Sequence, residues 1–253
     1  MNLDNYPLGS LLIATFVVLS ALGVVWIRRF HRLKRLTTHH EVMGYFFPVA
    51  GSIYGVLLGM VVVNAISLFD AAQMNVNDEA TDLMAIFALA DAMPPDHQTT
   101  IQNLCINYAA SVIENEWQAM DAGTNNLQSR RYAIDLFKAI IKAADSSPIV
   151  GPELLATGHS LLKERRERID SAMREIPNVE WITLCIGGVL VIFFSYLFVL
   201  DSIFVQITST VIIATMIALN LYLVILFGNP FSGDLKVSVF PFRHALAFFK
   251  EHD

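Results

Sequence analysis

Charge disappears from this chain in four long windows, and nothing else in it restricts the possible folds as much. Leu8 to Ile27 carries none, and Val42 to Phe69 is charge-free between Glu41 and Asp70. Trp181 to Leu200 lies between Glu180 and Asp201, and Ser202 to Gly233 ends at Asp234. A helix needs about 20 consecutive apolar residues to cross the hydrocarbon core of a bilayer, where its backbone groups must be bonded within the segment. The windows therefore predict an all-α fold, with four transmembrane helices in two hairpins and a helical-bundle insert between spans two and three. Composition agrees, since 55% hydrophobic and 16% charged residues lie outside the usual soluble balance. The expected organisation is a first hairpin over 1–69, a polar helical domain over 70–180, a second hairpin over 181–233 and a short interfacial tail over 234–253.

Charge also suggests a sidedness. RRFHRLKR, residues 28–35, places five Lys or Arg in eight positions, while only Asp4 is charged before span one. Short positive loops stay in the cytoplasm, which predicts a first loop inside and an amino terminus outside. Bases after the apolar run, not before it, mark span one as an anchor and not a cleaved signal. Two hairpins would then place the polar domain and the carboxyl tail on the non-cytoplasmic side of the inner (plasma) membrane. KERRER, residues 163–168, points the other way, but acids interleave its bases and long loops translocate largely regardless of charge.

The polar middle reads as helices. Asp70 to Met93 has no glycine or proline and should extend span two until Pro94-Pro95 stops it. A second helix opening near Asp96 aligns Ile101, Leu104, Cys105, Tyr108 and Val112, and a third from Asn126 to Asp145 aligns Ile134, Phe137 and Ile141. A fourth over Glu153 to Glu175 uses Leu154, Leu161, Leu162 and Ile169 and ends before Pro177. With 17 Asp or Glu against 9 Lys or Arg, residues 70–180 carry −8 and could draw cations.

Span two contains GSIYGVLLGMVVVNAISLFD, residues 51–70. Gly51, Gly55 and Gly59 fall on one helical stripe, and small residues let helix backbones touch in lipid, where burial gives little gain. The partner is either span one, through Ser10 and Ala14, or the same span of a neighbouring subunit. Asn64 lies further along the same span. A buried amide there must find a partner or line water, so it serves either as an interhelical hydrogen bond or as a polar ring in a pore. Asn220 in span four raises the same pair of options. Beyond it, Asn229-Pro230 and Ser232-Gly233 should turn the chain, and Phe240, Phe242, Leu246 and Phe249 should form a short helix lying on lipid.

Several function classes find no support. No catalytic residues are expected: Glu114 and Glu116 are two apart and do not face each other on a helix, and no nucleophile elbow or phosphate loop occurs. The histidines lack ligand spacing, so no metal and no cofactor is expected. Nucleic acid is not an expected partner either. Cys105 and Cys185 are expected to be small apolar residues without a disulfide.

Several short motifs together resemble the bestrophin-like family of mainly bacterial membrane proteins. They are Tyr54-Gly55 and Gly59, Glu79-Ala80, Tyr108, Glu116-Trp117, Arg165 and Arg168, Pro177, and Asn229-Pro230-Phe231-Ser232-Gly233. The resemblance spans nearly the whole chain. It implies a layout similar to the bestrophin anion channels, which are oligomers with the second span lining a central pore and the insert in the cytoplasm, opposite to the side that charge suggests. No acidic calcium-clasp motif is recognisable. On this basis the chain is expected to be a homo-oligomeric ion channel in the lipid bilayer, passing inorganic ions. Asn64, Asp70, Glu79 and Asp82 would line the pore, and charged rings set ion choice in many pores. The alternative is a non-conducting sensor or interaction module whose helical domain binds a partner through Trp117, Arg165 and Arg168, since Trp and Arg are favoured interface anchors.

Overall fold

The computed structural model describes residues 5–30, 40–121, 127–174, 176–197, 200 and 202–252. Residues 31–35 of the basic loop, on which the sidedness argument leaned, lie outside the described residues. All regular structure among those described is helical. The helices are α1 (Tyr6–Phe30), α2 (His40–Ala90), α3 (Pro95–Ser111), α4 (Trp117–Asp121), α5 (Leu127–Ala144), α6 (Gly151–Met173), α7 (Asn178–Leu197), α8 (Ile203–Gly228) and α9 (Phe240–His252). A single π-helical turn, Val112–Glu116, joins α3 to α4. Helices α1, α2, α7 and α8 are long and apolar enough to cross a membrane.

The chain forms two compact units. The first takes residues 1–67 and 175–228, and the second residues 68–174 and 229–253. Span two and its extension are one continuous helix of 51 residues, as the lack of any breaker in Asp70–Met93 predicts. It ends at Ala90, and Pro95 then opens α3 at a position where its missing N–H costs nothing.

In the first unit, α1 lies chiefly against α8, and α7 touches both. Tyr54, Leu58, Leu184, Val191, Ile192, Ala214 and Ile217 make the core. Close approach depends on tyrosines seated on glycines. A Cβ on Gly9 would stand 2.1 Å from the Tyr222 ring, one on Gly23 2.5 Å from the Tyr196 hydroxyl, and one on Gly187 2.5 Å from the Tyr54 ring. The Tyr54 hydroxyl donates to the Leu184 carbonyl at 3.2 Å, and that of Tyr196 to the Ser20 carbonyl at 3.0 Å. At the far end of α1, Arg28 Nε donates to Gln206 Oε1 at 2.7 Å and its Nη2 to the Leu200 carbonyl.

The second unit is a helical bundle. Helix α3 buries Ile101, Cys105 and Tyr108, continued by Val112 of the π turn, along the face its periodicity predicts, with Leu104 half-buried. Helix α5 departs from expectation. It buries Ala133, Leu136, Ile140 and Ala143, and leaves Ile134 and Ile141 exposed. Gly158 on α6 leaves room that Ile140 and Phe137 fill, and the side of α5 facing it runs through Ala133, Leu136, Ile140 and Ala143. The tail departs as well. After the turn at Asn229–Gly233, where Gly233 adopts φ 76° and Val237 N–H donates to the Pro230 carbonyl at 2.8 Å, α9 packs on α3. Phe242, Ala245 and Phe249 are fully buried there, with Phe249 stacked on Phe87 at 4.5 Å, so that face meets protein and not lipid.

Candidate functional site

Four residues that the sequence assigned to two different roles converge on one buried cluster in the second unit. Arg168 on α6 and Glu79 on α2 are fully buried, and Glu116 at the end of the π-helical turn is 1% exposed. Arg168 Nε meets Glu79 Oε2 at 2.5 Å and its Nη2 meets Glu79 Oε1 at 3.1 Å, a two-pronged pair. The same Nη2 reaches Glu116 Oε2 at 3.0 Å, and Arg165 Nη2 reaches Glu116 Oε1 at 2.5 Å. The Tyr108 hydroxyl donates to Glu79 Oε1. Trp117 and Phe242 place their rings 5.9 Å and 5.6 Å from the Arg168 guanidinium carbon, and Met120 Sδ accepts from its Nη1 at 3.3 Å.

The local sequence explains how these groups meet. A π turn adds one residue to the helical repeat and shifts the phase of the turns beyond it, a device that recurs at functional sites. Here it leaves Val112, Glu116 and Met120 all buried on one side. The apolar side of α6, Leu154 and Leu161, continues as Glu164, Arg165 and Arg168. Buried ions at this depth must be paired and hydrogen-bonded. Two carboxylates and two guanidiniums satisfy that rule, except that Arg165 Nε has no partner among the described residues. Burial, and then the Glu79 charge, push the Tyr108 hydroxyl well above the usual tyrosine pKa, so it remains a neutral donor. Burial opposes the Arg168 charge, yet Glu79 and Glu116 hold its pKa well above the ordinary arginine value. Burial also pushes up the Cys105 thiol, which fits a small apolar residue.

The placement differs from what either expected role needs. Glu79, expected to line a pore, is fully buried with Arg168 and Tyr108 on its oxygens. Arg165 and Arg168, expected on a contact surface, are withdrawn from solvent, and Trp117 is half-buried in edge-on contact with Phe231 and Phe242. Of the remaining acids, Asp70 is exposed on α2, while Asp82 is half-buried with Oδ2 unpartnered among the described residues.

The first unit has a second region of interest, an open face of α2. Asn64 is exposed there, beside Met60 and Val63, which are 70% and 63% exposed. Around the helix from it, Gly51, Gly55 and Gly59 border an apolar groove of about 390 Å³ with Tyr54 and Leu58, faced by Met216 and Asn220 of α8. A Cβ built at any of the three glycines meets nothing within 4 Å, so among the described residues the stripe faces open space. The Asn220 amide donates back to the Met216 carbonyl on α8 at 2.9 Å. Among the described residues, no group of three or more His, Cys, Asp or Glu is placed to hold a metal ion.

The missed group was Glu116. The π turn that carries it to the buried side has no sequence mark. The one available pointer was Arg165 and Arg168 continuing the apolar stripe of α6.

Known proteins share this layout. The structure is similar to that of a membrane protein crystallised as a single-substitution variant, at 12% identity and TM-score 0.73, covering 94% of this chain and 97% of that one. It is similar also to a bacterial bestrophin homologue from Klebsiella pneumoniae, at 12% identity and TM-score 0.72, covering 94% and 98%. At that identity the likeness is one of fold. No curated protein matches the chain. The family model of the bestrophin-like domain matches residues 14–242, a region that holds spans two to four, most of span one, the buried cluster and the turn before α9, and the chain belongs to the bestrophin-like family.

Proposed function

We propose that the chain is one subunit of a homo-oligomeric ion channel in the inner membrane, in which α2 lines a water-filled axis with Asn64 and Asp70. The observation that carries this reading is the exposure of Asn64 on a helix apolar enough to cross a membrane. An amide left uncovered by its own chain inside a bilayer needs another copy or water as its partner. Membership of the bestrophin-like family supports the channel class. The three glycines supply a face on which a neighbouring copy can close, and the two-hairpin arrangement with the termini outside belongs to the same reading. A ring of Asp70 carboxylates favours cations at the channel mouth.

Ion flux from liposomes carrying the purified protein tests it. Wild type should conduct, and Asn64→Leu should change conductance or selectivity while the oligomer survives. No flux for wild type in any salt defeats the reading.

A further inference from the structure

Along the stretch of α2 that carries Asp70 and Met74 the buried face is low: Ala72 and Val76 are 0% exposed and Ala80 1%, with the larger Leu83, Ile86 and Phe87 beyond it. Side chains this short interlock little with their neighbours and so oppose rotation of that stretch weakly. Glu79 is the directional polar group on it. A guanidinium fork on a carboxylate is satisfied over a narrow range of angles, whereas one residue's shift along an α-helix turns a side chain by about 100°. Arg168 is itself pinned by Glu116, Met120, Trp117 and Phe242.

We propose that Arg168, held by Glu116, is a positioning residue that sets the rotation of α2 within this unit through Glu79 and so presents Asp70 and Met74 outward. Asp70 is exposed and Met74 is 62% exposed, while Ala72 and Val76 between them are fully buried. Buried ion networks add less stability than apolar replacements of similar volume, and their best-attested use is to select one register. The cluster therefore acts on orientation. That Asp70 meets permeating ions rests on the channel reading above; its presentation by the cluster does not.

The test uses full-length protein in a Cys105→Ala, Cys185→Ser background, with single cysteines at Asp70, Ala72, Met74 or Val76 and a small charged thiol reagent. Labelling rates are compared between the native cluster and E79M/Y108F/E116L/R165M/R168M, which removes every charge at once and so strands none. The expected result is a folded protein melting near or above the native one, whose cysteines at 72 and 76 gain about tenfold in rate relative to those at 70 and 74, the change that about 1.4 kcal/mol of lost preference produces. An unchanged ratio in a folded variant overturns the proposal, because packing alone then sets the rotation. A variant that melts far below the native protein overturns it too, because the cluster is then a stabiliser. Liposome flux run in parallel separates the two ideas: absent flux defeats the channel and leaves the labelling result to decide the positioning role.

Discussion

At the scale of single residues, Arg168 is held by Glu79, Glu116, Met120, Trp117 and Phe242 together. Removing one partner of a buried ion pair costs about 3–5 kcal/mol, because the other is left charged and unsolvated. Arg168→Ala would leave Glu79 charged with only the Tyr108 hydroxyl and Glu116 with Arg165 alone, and should lower stability by about that amount in denaturant or thermal unfolding of the purified protein. Arg166, two residues earlier and paired only with Asp170 across 3.8 Å at the surface, provides the control. Arg166→Ala should cost no more than about 1 kcal/mol. The charges of both arginines were plain in KERRER, but their opposite fates were not. The period was the one sign that α6 turns Arg168 inward, since Leu154, Leu161 and Arg168 fall at seven-residue steps, and the charge of Arg168 masked that sign.

At the scale of elements, spans and helix extents were legible because charge and proline mark them directly. The face of α3 was legible too, since its buried residues are large and regularly spaced. Helix α5 was not, because the room that its Ile140 and Phe137 fill is left by a glycine in another helix. Helix α9 was misjudged for a similar reason: phenylalanines beside bases fit a membrane surface as well as they fit a bundle, until Phe87 and Tyr108 supply the partners. The same dependence on a facing element governs α7. A larger side chain at Gly187 must displace the Tyr54 ring, so Gly187→Leu should overpack the site and cost about 1–3 kcal/mol, measured as a loss of thermal stability of the protomer.

At the scale of the whole molecule, Gly55→Leu makes the opposite prediction. Among the described residues no atom lies within 4 Å of a Cβ at that position, which opens onto the groove, so the protomer should keep its stability within about 0.5 kcal/mol. Any effect should appear in subunit number, read by native mass spectrometry or by size-exclusion with light scattering. The sequence identified the stripe and its small residues but left two candidate partners. Among the described residues no neighbour fills the space beside it, and the pore-facing role proposed for Asn64 depends on copies that a single sequence does not display. The tyrosines seated on Gly9, Gly23 and Gly187 have a different consequence, one for how such chains diverge. Each seat is a pair in which the glycine cannot enlarge unless its tyrosine shrinks first. Substitution in these spans should therefore proceed in an enforced order, with the ring lost before the methyl is gained, and intermediates taken in the reverse order should be purged.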